Sequence, residues 1–342
     1  MRRVVVLATL TGALLVGLVV SARVGQLPVS TTDVVGAALA RLGITSGWAP
    51  SDEVVAMTLE QIRFPRVALS ALVGAALAVG GAVMQAIFGN PLAEPGVVGV
   101  SSGAALGAAA AIASGVSVAG GAGVAAAAFV CGFLATFLVY VTARANGRTE
   151  VVTLLLTGIA VNAFAGAGIA LVMFVGDTAS REQIVFWQLG SLNGARWHEV
   201  AVVTAIVVPT TLIALALARR YDLLSLGERS AAHLGVRVEA LRVGSIALVA
   251  LLTAAAVAFA GIISFVGLVV PHSIRMLLGP SHRGLLAASA IAGAALLVWC
   301  DLLARTAVAG ADLPIGMITA LIGGPFFFVL IRQARSRAGG WG

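Results

Sequence analysis

GAALAVGGAVMQAIFGNPLAEPGVVGVSSGAALG, from Gly74 to Gly107, decides what kind of molecule this chain forms. Apart from Gln85, Asn90 and Glu94, nearly every residue is small or apolar. Such glycine density reads as membrane-spanning helices that approach closely through small residues. Within it, Asn90-Pro91-Leu92-Ala93-Glu94-Pro95 puts two prolines between apolar runs, so the backbone must break there. The amide and carboxylate of that break can face only protein or a water-filled path.

The rest of the chain extends the same theme. Its 342 residues are 60% hydrophobic and 10% charged, with a mean hydropathy of +1.06, far from the averages of soluble domains. A spanning helix takes about 20 apolar residues, so the length holds roughly ten spans with short connections. The chain reads as all-α, a single transmembrane domain over residues 1–342.

Val4 to Val20 is an unbroken apolar or small-residue run behind Arg2 and Arg3. It is long for a signal peptide and lacks a clean cleavage site, so it reads as span one, with cleavage as the alternative. Residues 25–60 carry Pro28, Asp33, Trp48, Pro50, Asp52, Glu53 and Glu60 and read as an external loop with room for a short helix. Further spans are expected at 64–88, 95–114, 119–142, 151–175, 198–218, 240–261, 263–278, 285–306 and 314–332. Between the sixth and seventh, residues 219–239 are too polar to span, and their leucines and alanines suit one face of two short helices split at Gly235.

Charge orients this bundle. The chain has 21 basic side chains, all arginine. With the N-terminus inside, the internal segments hold Arg2, Arg3, Arg144, Arg148, Arg219, Arg220, Arg229, Arg237, Arg242, Arg275, Arg283, Arg332, Arg335 and Arg337. The positive-inside rule therefore favours ten spans in a bacterial cytoplasmic membrane with both termini cytoplasmic. Because there is no lysine, a P-loop of the form G-x-x-x-x-G-K-[ST] is missing altogether. Cys131 and Cys300 lie in apolar runs and resemble small core residues; they leave the redox compartment open.

Some polar residues stand out against this background. Arg63-Phe64-Pro65-Arg66 puts two guanidinium groups on one side of a helix start at the outer face, and Arg305 lies near the outer end of span nine. Snorkelling accounts for each alone; together, where the charge rule prefers few cations, they suggest docking of an acidic partner. His272 follows Pro271, but His198, His233 and His282 make no ligand spacing with it, so structure is the simpler reading than a metal site. Glu94, Asp301 and Arg305 raise a proton relay, for which there are too few charged groups.

Taken in order, these motifs resemble a known family over almost the whole chain. Arg63-Phe64-Pro65-Arg66 is similar to its R-L-P-R, and Gly74 to Gly107 to its GAALAxxGxxxQxxxxNPLAxPxxLGVSSGA block. LLLTGIAV (Leu154 to Val161), Trp187-Gln188-Leu189-Gly190-Ser191, LSLGERSAAHLGV (Leu224 to Val236), GIISFVGLVVPHSIR (Gly261 to Arg275) and LPIGMITALIGGPFF (Leu313 to Phe327) follow in the family's sequence. The family is the FecCD permeases, membrane subunits of type II ABC importers for iron-siderophores, haem and cobalamin.

The resemblance implies two permease chains, the second a copy of this one or a close paralogue, enclosing a translocation path. Two ATP-binding subunits would lie below and an extracytoplasmic substrate-binding protein above. The chain itself would carry no catalytic residue, metal or cofactor, with ATP and Mg on the partner ATPases. By motif position, Arg63, Arg66 and Arg305 match cations that pair with acidic residues of the binding protein. Asn90 and Leu92 match a cytoplasmic gate, and Val151 and Val152 lie at a second one, where valines replace a short polar pair. Leu226, Gly227, Glu228, Ala232, Leu234 and Gly235 fall in the coupling element, a short helix that docks on an ATPase. An iron-siderophore is the first expected cargo, then haem, then cobalamin. A self-sufficient ion-coupled secondary transporter is the competing expectation, although it has no need of a docking helix; nucleic acid is not an expected partner.

Overall fold

The computed structural model describes residues 2–44, 46–115, 121–145, 148–308 and 310–337, without the side chains of 145, 148, 330, 331 and 333–337. Helices follow one another along the chain as α1 (Arg2–Arg23), α2 (Thr31–Arg41), α3 (Glu53–Thr58), α4 (Phe64–Phe88), α5 (Val100–Ala113) and α6 (Ala122–Thr142). A two-residue hairpin, β1 (Arg144–Ala145) with β2 (Arg148–Thr149), leads into α7 (Val151–Val175), α8 (Thr178–Leu189) and α9 (Trp197–Ala216). Then come α10 (Ala218–Leu224), α11 (Glu228–His233), α12 (Val238–Ala260), α13 (Val266–Leu278), α14 (His282–Thr306) and α15 (Ile315–Arg337).

Among the described residues, 7 helices are long and apolar enough to cross a membrane: α1, the continuous stretch Glu53–Phe88, α6, α7, α9, α12 and α14. The shorter apolar helices α5, α13 and α15 complete the ten expected spans. The expected bounds agree to within a few residues at most ends; α15 runs on to Arg337, and residues 119 and 120 of the expected fourth span lie outside the described residues. The all-helical expectation holds, with only the small hairpin added among the described residues.

Burial sorts the helices into an inner and an outer set. In its most apolar window, α4 is 78% buried, α12 72% and α14 61%, against 11% for both α1 and α7. In the inner set, small residues let the backbones meet. A side chain on Gly81 would put its Cβ 1.7 Å from the Gly267 carbonyl oxygen, so α4 and α13 cross with backbones in contact, the close approach that glycine permits between membrane helices.

The segment 25–52 is partly ordered by its own caps. Ser30 opens α2 with a reciprocal capping box to Asp33, and the Asp52 side chain accepts from the Val54 N–H to open α3. A five-residue π-helical turn, Leu59–Arg63, joins α3 to α4 without a break, and Pro65 just after it lacks the N–H that would continue the ladder, so the change of helical pitch falls where a proline already interrupts the bonding. The chain's loops gather at two ends of the bundle. One, the arginine end, joins the C-termini of α1, α12 and α14 to the starts of α4, α9 and α15. The other, the α11 end, carries the 89–94 turn, the hairpin, α10 and α11.

Candidate functional site

The C-terminus of α1 explains the arginine end. The last carbonyls of any helix lack intrahelical donors and carry the negative pole of its dipole. Here cations from two other helices supply the donors. Arg63 donates from Nη1 to the carbonyls of Ala22 (2.8 Å) and Arg23 (2.6 Å) and from Nη2 to that of Leu27. Arg305 donates from Nη1 to the Val24 carbonyl (2.6 Å) and from Nη2 to the carbonyl and hydroxyl of Ser21.

Arg66, one turn beyond Arg63, points to a carboxylate instead. Its Nε lies 3.0 and 3.2 Å from the two Asp301 oxygens, and its Nη1 2.9 Å from Asp312 Oδ2. Asp301 is buried to 1% exposure and lies one helical turn before Arg305, whose Nε is 3.6 Å from it. The three arginines named from the sequence are thus brought together, and together they line a depression of about 740 Å³ whose rim includes Gln26, Asn193 and Asp312. Arg63 itself keeps 6% exposure. Asp301 as the shared anion and Asp312 were not assigned to this cluster from the sequence. Their partner Arg66 lies 235 and 246 positions away, and only the i,i+4 spacing of Asp301 to Arg305 is a local sign of the cluster.

Beside this depression, Arg41 lies over the Trp197 ring at 3.6 Å and pairs with Glu60, while Trp197 Nε1 donates to the Glu60 carbonyl at 2.7 Å. Asp177 caps α8; the hydrogen bond from the Ser180 N–H holds its carboxyl below the usual range.

At the α11 end, Asn90 and Leu92 sit in the turn after α4. The Asn90 Oδ1 accepts from the Leu92 N–H at 2.9 Å, an Asx turn that sets the backbone without a helix. Asn90 is exposed and Leu92 is 42% exposed. Behind the turn, Gln85 donates to the Leu268 carbonyl at 3.3 Å and accepts from Arg275 at 3.2 Å, bracing α4 on α13. Val151 and Val152 form the first turn of α7. That helix packs on the 95–98 turn, where Asn162 donates to the Gly96 carbonyl at 3.4 Å and accepts from the Ser102 hydroxyl at 2.6 Å. Asn162 was not singled out from the sequence, though an amide inside an apolar span is the signal that marks it.

The expected coupling residues surround α11. Two glycines set its turns: Gly227 at φ +100° and Gly235 at φ +85°, backbone that L side chains rarely adopt. The two short helices expected to part at Gly235 instead part at Gly227, between α10 and α11, while Gly235 separates α11 from the long α12. Leu226 and Leu234 stand 62% and 58% exposed on either side of α11, Ala232 is exposed, and Glu228 pairs with Arg242. Behind it, Tyr221 is fully buried and hydrogen-bonds Ser245 at 2.8 Å; burial pushes its phenol up. His272 lies on α13 with Nδ1 buried and without a partner. Among the described residues, no three His, Cys, Asp or Glu side chains gather as a metal site.

Comparison with known proteins adds to this geometry. The FecCD transport family profile matches residues 13–333. The hemin transport system permease HmuU of Yersinia pestis is 43% identical over 281 residues, covering 81% of this chain and 84% of that protein. The cobalamin import system permease BtuC of Halobacterium salinarum is 41% identical and covers 98% of both chains. A solved inward-facing conformation of a metal-chelate type ABC transporter superposes with a TM-score of 0.82 at 32% identity, covering 96% of this chain and 99% of that one.

Proposed function

The chain belongs to the FecCD transport family, and from that premise we propose how its two ends divide the work of transport. It is a multi-pass membrane protein and the permease subunit of an ATP-binding-cassette importer, a transport subunit rather than an enzyme. Membership of this kind of importer implies ATPase partners and a substrate-binding protein. The secondary-transporter reading has no support among the relatives.

The arginine end is the extracytoplasmic one, where a substrate-binding protein docks over the depression lined by Arg63, Arg66 and Arg305. Three cations against Asp301 and Asp312 leave that rim net positive, which favours an acidic partner and speeds encounter most at low salt. The α11 end and both termini are cytoplasmic. There α11 with Leu226, Gly227, Glu228, Ala232, Leu234 and Gly235 docks on an ATP-binding subunit, which holds the ATP and Mg; Asn90 and Leu92, with Val151 and Val152, close the path between cycles. A second copy of the chain completes that path in a cytoplasmic membrane. The names of the relatives favour haem or cobalamin as cargo over the ferric siderophore expected first, all three being bulky metal chelates.

The single observation that carries this reading is α11 itself, a glycine-bounded helix flanked by two exposed leucines, a shape suited to a groove in a partner. Purified alone in liposomes, the chain should neither hydrolyse ATP nor accumulate hemin or cobalamin. With its ATPase and binding protein added, hydrolysis and uptake should both appear. Uphill uptake by the chain alone would refute the reading.

A further inference from the structure

Arg242 lies in the second turn of α12 with 5% exposure, and its partners lie on α11, on β2 and on α12 itself. Its Nη2 donates to Glu228 in the first turn of α11. Its Nη1 donates to the Thr149 carbonyl at 3.0 Å and lies 3.8 Å from Glu239, a turn earlier on its own helix. Glu239 in turn accepts from the Thr149 N–H at 3.1 Å and from the Thr149 hydroxyl.

Thr149 is thus held at all three of its polar positions, with 3% exposure. It is the last residue of β2 and stands two positions before the first residue of α7. The Glu150 N–H donates back to the Ala143 carbonyl at 3.2 Å, closing the hairpin, so the α7 start has little freedom relative to Thr149. A buried guanidinium with several fixed acceptors is a stiff joint, because its planar fork loses little further entropy when all partners are present.

We propose that Arg242 is a positioning residue that joins α11 to the start of α7, so that displacement of α11 is delivered to Val151 and Val152 as one rigid movement. A link of this kind is physical only if one element's position biases the other's. The chain from Glu228 through Arg242 to Thr149 supplies that link through one side chain at the start of α12. The inference rests on the reading of α11 as the ATPase-docking element.

The test uses the full importer in liposomes. Spin labels go on Arg229→Cys in α11 and Val152→Cys in α7, in a background with Cys131→Ser and Cys300→Ser, and their distance is measured with and without ATP and Mg. The unsubstituted link should keep the same distance distribution in both states, whereas Arg242→Gln should broaden it and shift it on adding nucleotide. Glu228→Ala, which removes the acceptor on α11 from a side chain 62% exposed while Glu239 still faces the Arg242 charge, should do the same and decides the matter if Arg242→Gln fails to fold. A distance that already changes in the unsubstituted link, or variants that match it in both states, overturns the relay. In a separate arm, Leu226→Asp with Leu234→Asp should stop the ATPase from co-purifying. If it still co-purifies, the docking reading of α11 has failed and the inference falls with it.

Discussion

Asp301 is held at 1% exposure between the guanidinium groups of Arg66 and Arg305, whose side chains keep 14% and 10%. Removing one partner of such a cluster leaves a buried charge uncompensated, which costs about 3–5 kcal/mol, whereas replacing both with apolar groups costs much less. Asp301→Ala should therefore lower the thermal midpoint of the purified protein markedly, and Asp301→Leu combined with Arg66→Met should recover much of the loss. Asp312, 38% exposed on the other side of Arg66, is close to a surface pair, so Asp312→Asn should cost at most about 1 kcal/mol. Equal losses for the two aspartates would show that burial does not govern this cluster. The same contrast explains what the sequence disclosed. The arginines were visible as cations on a side where few are expected. The acceptors of Arg63 and Arg305 were not, because the free carbonyls of a helix end have no residue type and become acceptors only when the fold delivers α1 to α4 and α14.

Helices of one kind were legible and helices of another were not. Residues 151–175 were expected as a span and form α7 with those bounds, because an apolar run of that length has one solution in a membrane. In contrast, α8 falls between the expected spans 151–175 and 198–218, where no helix was expected, although Asp177 before Thr178 is an ordinary N-cap signal. The 219–239 segment was read as patterned, but its turn at Gly227 follows from a backbone angle that sequence shows only as a glycine. At φ +100° and with nothing within 4 Å of its ideal Cβ, Gly227→Ala meets backbone strain alone, of order 1–3 kcal/mol. Gly227→Pro also fixes φ near −65° and so removes the turn. Gly227→Ala should weaken ATPase co-purification modestly and Gly227→Pro should abolish it, the thermal midpoint of the permease falling by the few degrees that such strain produces. A proline variant that still binds its ATPase would mean that the α10–α11 turn does not present α11.

For the molecule as a whole, the face left open on α7 is the question the single chain poses. Only 11% of its apolar window is buried, and Phe164 and Phe174 are 75% and 83% exposed. Lipid can cover an exposed apolar helix, as it can the 57%-exposed Phe137 on α6. The two faces differ in composition, however. On α7, exposed Ala160, Ala163, Gly166, Ala167 and Ala170 recur at helical spacing between the bulky residues, and small residues mark contact between helices because lipid gains nothing from them. If a second copy packs here about a two-fold axis, residues near the axis meet their own counterparts. Single cysteines in a background lacking Cys131 and Cys300 test this directly. Under mild oxidation in membranes, one or more of Ala163→Cys, Ala167→Cys and Ala170→Cys should give disulfide-linked dimers of the permease, with the yield rising and falling along the helix as the face approaches and leaves the axis. Phe137→Cys should give none. Uniform monomer along α7, with the ATPase still bound, would assign that face to lipid and require the second copy to meet this chain through another helix.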